Sequence, residues 1–187
     1  AISVGADKLG LKAITLVHKT ADKNLIERTA SFSAYVLVVN AEYSTVNDIA
    51  NKISNFDDKL ASRIAWVNTN LRPLYGAGPK TIGFEIVEQL GWKAPKHIVH
   101  PLAAGLSFWQ IYNALTEFKD LGLLPNLETA IHAVQPSRCN PFVRGWEKYK
   151  KSGKFELERV ENVTSIAETL CVGRAVNADQ CFDVLKK

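Results

Sequence analysis

The sequence predicts an α/β protein with mostly parallel sheets flanked by helices, arranged as two sub-domains. Three observations carry this prediction. Short apolar runs alternate with helix-period segments along the first third of the chain. Those runs are apolar throughout rather than alternating, which is the pattern of parallel strands covered on both faces. A polar segment holding two Pro and two Gly, residues 68–79, then interrupts the alternation and reads as a domain junction or a site loop.

The elements follow in order. Residues 1–9 read as the interior of a helix with no cap before it, and Gly10 supplies the turn. Ala13–Val17 is a continuous apolar strand. Asp22–Ser31 is a polar-faced helix with Leu25, Ile26 and Thr29 near one side. Tyr35–Val39 is a second buried strand. Ser44 is read as the cap of a helix reaching about Ile53, with Val46, Ile49, Ala50 and Ile53 inward. Ile64–Val67 is a third short strand. Past the polar segment, Pro79 or Lys80 opens a helix to Leu90, stopped by Gly91. A strand at 98–100, a small-residue loop at 101–106 and a helix from Ser107 to Leu121 come next. A strand at 129–134 and helices at 141–150, 164–170 and 178–185 complete the chain, the last capped by Asn177.

Composition narrows the class. Of 187 residues, 47% are hydrophobic and 22% charged, which excludes a disordered chain. The longest apolar run, Ala34–Val39, is far short of the roughly 20 residues that span a bilayer. The formal charge of +4 is spread out, and Lys148–Lys151 reads as a solvated helix face, so neither nucleic acid nor a membrane is an expected partner. Cys139, Cys171 and Cys181 form no CxxC pair, which supports neither a disulfide framework nor a zinc site. Reduced, buried thiols in a cytoplasmic protein are expected. His18, His97, His100 and His132 are scattered and read as ordinary strand or edge residues. The chain has no Met, starts at Ala1 and reads as helix at both ends. We therefore expect a piece of a longer enzyme, with Ile2, Val4, Phe182 and Leu185 exposed where covering segments are missing.

Two segments carry candidate chemistry. At 97–121 a strand runs into Ala103-Ala104-Gly105 and then into a helix start at Ser107. Unpaired N–H groups and the positive end of the helix dipole suit a phosphate, and small side chains let a ligand approach the backbone. The alternative is a tight β–α turn without a ligand. In the second, Asn68 to Tyr75, two Asn, one Thr, one Arg and one Tyr crowd amides, hydroxyls and a guanidinium into eight residues. Such groups suit a polar anion, with Arg72 able to grip carboxylate or phosphate in bidentate fashion. The alternative is a polar surface loop. No Gly-x-Ser-x-Gly, Walker or GxGxxG sequence is present.

The segment from Pro79-Lys80-Thr81-Ile82-Gly83-Phe84-Glu85 to Glu88-Gln89-Leu90-Gly91-Trp92, followed by His97-Ile98-Val99 and Pro101, resembles threonine synthase. That family belongs to the fold type II pyridoxal-phosphate enzymes, of tryptophan synthase β-like architecture. Asn68 to Tyr75 resembles the Asn-x-x-Leu-Arg-Pro-x-Tyr segment of a prokaryotic branch, and Ala133-Val134-Gln135 through Cys139-Asn140-Pro141 resembles a later family stretch. The resemblance implies pyridoxal phosphate as cofactor and a lyase of threonine biosynthesis that converts O-phosphohomoserine and water to threonine and phosphate. It places the cofactor phosphate on Ala103, Ala104, Gly105, Leu106 and Ser107, and a small phosphorylated amino acid against Asn68, Thr69 and Arg72. It implies residues 1–67 as the remainder of a small N-terminal sub-domain, 68–79 as the junction and substrate loop, and 80–187 as part of the larger cofactor-binding sub-domain. The full-length parent is expected to be a homo-oligomer. The family's Schiff-base lysine segment has no match in this sequence, so no catalytic residue is assigned and the chain alone is expected to be inactive. Departures from the family pattern include the bulky Leu106 and Ala77, where a glutamate is common. The alternatives are a non-catalytic phosphate-binding α/β module and another fold type II enzyme, such as a threonine dehydratase.

Overall fold

A computed structural model describes residues 2–32, 34–54, 59, 62–65, 67 and 76–187. The chain divides into two compact units, Ala1–Val67 and Asn68–Lys187.

The first unit is a β–α–β arrangement between two further helices. Helix α1 (Ile2–Lys8) precedes β1 (Ala13–His18), α2 (Lys23–Ala30), β2 (Ala34–Val39) and α3 (Tyr43–Ser54). The two strands pair in parallel from Ala13↔Ala34 to His18↔Val39. Asp22 starts α2 by accepting a 3.0 Å hydrogen bond from the Leu25 N–H, which satisfies a donor the helix cannot use internally. Ser44 does not cap α3. The helix begins one residue before it, because the Glu42 carbonyl already accepts the Val46 N–H at 3.1 Å. Ile64, Ala65 and Val67 form no strand, and Trp66 lies outside the described residues. A strand needs a paired neighbour, and the described sheet here holds only β1 and β2.

The second unit comprises α4 (Lys80–Gln89), β3 (His97–Pro101), α5 (Leu106–Asp120), β4 (Ala130–Val134), α6 (Pro141–Ser152) and α7 (Ala178–Leu185). Strands β3 and β4 pair in parallel from His97↔Ala130 to Pro101↔Val134. The helix expected at 164–170 is only a 3-10 turn, Glu168–Leu170. The Ser165 hydroxyl accepts the Ala167 N–H at 3.0 Å, and such a local bond competes with helical pairing. Among the described residues the sheet is covered on one face only. Ile98 and Ile131 face the core, whereas Val99 is 69% and Val134 50% exposed.

Two clusters form this unit's core. Leu102, Phe108, Phe142, Cys181 and Val184 make one, and Val87, Leu115 and Leu124 the other. Phe182 stacks on Phe155 with ring centroids 4.1 Å apart, and Leu185 packs on the first cluster. These two residues are therefore partly buried within the unit, and Val4 on α1 is half-buried too, all three contrary to the expectation of exposure, while Ile2 is exposed as expected. Gly83 brings α4 close to α5, since a Cβ there would lie 2.6 Å from the Ala114 Cβ. The Lys80–Glu117 ion pair and the Phe84–Phe118 ring contact at 4.9 Å flank that approach. Lys80, Gly83 and Phe84 of the family-like motif thus serve helix packing.

Candidate functional site: the loop from β3 into α5

Strand β3 delivers the chain to Leu102, whose N–H donates to the Val134 carbonyl at 2.8 Å and extends the pairing with β4. The chain then turns through Ala103 and Ala104 to Gly105, which adopts φ +100° and opens α5. That conformation suits glycine alone. Space demands glycine as well, because a Cβ at 105 would sit 2.4 Å from the Cys181 Sγ.

Three side chains from distant elements hold the loop. Gln135, just past β4, donates from Nε2 to the Leu102 carbonyl at 3.2 Å. Its Oε1 accepts the Phe142 N–H at 2.9 Å and the Val143 N–H at 3.3 Å, so one amide ties the loop to the first turn of α6. Asn177, before α7, donates its backbone N–H and its side-chain Nδ2 to the Ala104 carbonyl, both at 3.3 Å. The expected side-chain cap of α7 is therefore absent, and the amide is used on the loop. The Cys181 thiol donates to the Gly105 carbonyl at 3.3 Å, and burial pushes that thiol's pKa up to about 12.

These braces orient the donors. In a planar trans peptide the N–H points opposite to the C=O of the same unit. Carbonyls 102, 104 and 105 are fixed on Gln135, Asn177 and Cys181. The N–H groups of Ala103, Gly105 and Leu106 consequently face away from those braces. The first turn of α5 holds no acidic residue. Among the described residues none accepts the backbone N–H of Ala104, Gly105, Leu106 or Ser107. The site is thus several N–H donors and the half-buried Ser107 hydroxyl at the positive end of a 15-residue helix.

The loop residues Ala103, Ala104, Gly105, Leu106 and Ser107 come together as one cradle. The bulky Leu106 side chain points toward Gly76. Its Cδ1 would lie 3.5 Å from a Cβ on Gly76, and the Gln110 Nε2 one turn later would lie 3.0 Å from it. Both side chains therefore reach toward the end of the polar segment. Asn68, Thr69 and Arg72 lie outside the described residues. Gln135, Asn177 and Cys181 were not read as site residues from the sequence. Only the resemblance around Gln135 pointed near them.

A family model described as "Pyridoxal-phosphate dependent enzyme" matches residues 1–187. The chain belongs to that family. Members bind pyridoxal phosphate, and the donor set of the 103–107 loop, N–H groups and one hydroxyl without a carboxylate, fits the phosphate of that group. Threonine synthase from Methanosarcina acetivorans is 33% identical over 141 residues, covering 71% of this chain and 33% of its own length. Threonine synthase from Methanocaldococcus jannaschii is 26% identical over 138 residues, covering 70% and 33%. The chain spans about a third of the length of these curated relatives. A fungal L-serine ammonia-lyase from Rhizomucor miehei superposes with a TM-score of 0.73 at 20% identity, covering 97% of this chain and 52% of that one. The fold is that of the fold type II pyridoxal-phosphate enzymes.

Proposed function

We propose that residues 1–187 carry the phosphate cradle and substrate loop of a threonine synthase-like enzyme, whose reaction converts O-phosphohomoserine and water to threonine and phosphate. The observation that carries this reading is the braced loop at the carboxyl end of β3, where open α/β sheets bind ligands. The similarity to two archaeal threonine synthases supports the choice of reaction.

The residues would act as follows. The N–H groups of Ala104, Gly105, Leu106 and Ser107 and the Ser107 hydroxyl hold the cofactor phosphate. The Gly105 and Leu106 donors are already oriented by the braces on carbonyls 104 and 105, so binding costs little rearrangement. Asn68, Thr69 and Arg72 take the substrate's carboxylate and phosphate, the guanidinium contributing a bidentate, charge-assisted grip. When bound, pyridoxal phosphate supplies the electron sink for carbanion chemistry, while the protein supplies position and charge. None of the motif positions in 1–187 supplies the covalent amine. We assign these residues to anchoring and not to the covalent step.

An absorbance titration with pyridoxal phosphate tests this. Saturable binding competed by inorganic phosphate is expected, lost in Ser107→Glu. Arg72→Ala should leave that binding intact and weaken only O-phosphohomoserine. No phosphate should be released from O-phosphohomoserine by the chain alone. One stoichiometric borohydride-reduced lysine adduct together with phosphate release would overturn the assignment. Ammonia release from threonine in its place would overturn the choice of reaction.

A further inference from the structure

The outer face of the second sheet carries a pair of histidines that the site above does not use. His97 opens β3 opposite Ala130, and His132 lies two residues further along β4, opposite Val99. The parallel pairing therefore puts both side chains on the same exposed face. His97 Nδ1 lies 3.0 Å from His132 Nε2, with ring centroids 5.2 Å apart and the planes tilted by 37°. Among the described residues neither ring is bonded to a carboxylate.

We propose that His97 and His132 form a two-nitrogen chelate for a divalent transition metal of tetragonal preference, Cu(II) or Ni(II). The spacing selects the class. A metal bound at about 2.0–2.1 Å from each nitrogen, the usual imidazole distance, would see roughly 91–97° between them. That is the cis angle of square-planar and tetragonal coordination. A tetrahedral zinc ion would need roughly 3.3 Å between the nitrogens at the same bond length, wider than the pair provides. The β3–β4 register brings the two exposed rings side by side, and their own hydrogen bond already holds the nitrogens at this separation, so only a small turn of the rings is needed on binding.

The protons balance without release. In the metal-free pair one facing nitrogen carries the hydrogen and the other accepts it. On binding, that proton moves to the far nitrogen of its own ring. Both facing lone pairs are then free, and both rings remain neutral. Among the described residues no group of three or more metal-binding side chains gathers. Water completes the coordination and leaves open positions on the metal. Bound this way, the metal staples β3 to β4 across the exposed end of a two-stranded sheet.

The test titrates Cu(II) into the full chain at a pH above about 6.5, where free imidazole is neutral. One tight equivalent is expected, with an electron paramagnetic resonance spectrum showing two equatorial nitrogens. A metal-dependent rise in melting temperature should accompany it. His97→Ala and His132→Ala each turn a chelate into a single ligand, and affinity should fall on the order of a hundredfold. Both positions are exposed, and circular dichroism checks that the variants fold. His97→Gln and His132→Gln serve if an alanine variant does not. His18→Ala, on another sheet, should bind as the parent chain does. A single-nitrogen spectrum, or undiminished affinity in folded variants, would overturn the proposal.

Discussion

The two units are built from the same local pattern, an apolar strand, a helix and a second parallel strand, yet they bury it differently. In the second unit the large residues Leu102, Phe108, Ile111, Leu115, Leu124 and Phe142 are fully buried. Among the described residues of the first, the buried apolar ones are Ala13, Val46 and Ala50, while Ile14, Tyr35, Leu37 and Val38 remain exposed. Leu37 and Val38 point to opposite faces of β2, at 52% and 57% exposure, so neither face of that strand is closed. The local pattern decides which elements form. Whether they acquire a core depends on other elements closing over them, as α4, α5, α6 and α7 do in the second unit. A two-stranded sheet without such cover is marginal in water.

The largest effect should come from the contrast itself. Leu115→Ala removes a fully buried side chain packed with Val87 and Leu124, and should cost about 2–5 kcal/mol. Leu37→Ala, half exposed on β2, should cost under about 0.5 kcal/mol. Denaturant unfolding measures both. Native-state hydrogen exchange should show α5 protected more strongly than β2. Equal costs at the two leucines would break the comparison.

Next is the loop on which the proposed site depends. Gly105→Ala forces an alanine to φ +100° and sets its Cβ against the Cys181 Sγ. The expected cost is about 2–3 kcal/mol from strain and overpacking. Cys181→Ala removes the clashing atom but not the strained backbone. The double variant should therefore be more stable than the sum of the singles by on the order of 1 kcal/mol. Strict additivity would show that the thiol does not set the loop.

Much of the fold was legible because its signals are local. Periodicity, the Gly91 and Gly105 punctuation and the Pro141 start place β1, α2, β2, α4, β3, α5 and α6 within a residue or two of their observed ends. The cradle at 103–107 was legible for the same reason, being a strand, a small-residue turn and a helix start. What holds it was not. Gln135, Asn177 and Cys181 reach residues 33, 73 and 76 positions away, and no local pattern carries such contacts. The third strand at 64–67 failed for a related reason, since an apolar run becomes a strand only where a neighbour pairs with it. The His97–His132 pair was invisible too: 35 residues separate the two, and only the β3–β4 register joins them.

A cap supplies a smaller effect inside the weaker unit. Asp22→Ala removes the acceptor for the Leu25 N–H and should cost about 1 kcal/mol. Hydrogen exchange should confine the loss to the first unit, with α2 most affected. A matching loss in α5 would mean the units unfold as one.

Ser107→Glu separates stability from function in the stronger unit. A carboxylate in the first turn of α5 meets the positive end of the helix dipole and should stabilise by about 0.3–1 kcal/mol. The same charge repels an incoming phosphate. Melting temperature should rise slightly while pyridoxal phosphate binding falls. A fall in both would mean that Ser107 serves packing rather than the anion.

The smallest effect at neutral pH comes from His100, because there it vanishes. The ring sits edge-on to Phe108 at 5.9 Å, and its buried Nδ1 has no partner among the described residues. Burial holds its pKa below the usual imidazole value, outweighing the smaller opposing pull of the adjacent Pro101 backbone. The unfolded chain therefore takes up a proton first as pH falls below about 6.5, and stability drops from there down to the folded-state pKa. Glu147 and Glu156 are held below the carboxylate range by Lys150 and Lys148. Whatever they contribute is lost only under stronger acid, below about pH 4.3. The window between the two isolates the histidine. His100→Phe keeps the ring packing and removes the titration, so the slope of stability against pH in that window should flatten in the second unit. An unchanged slope would mean that the second unit's core, fully closed at Phe108, does not exclude the charge on His100 in the way that its burial implies.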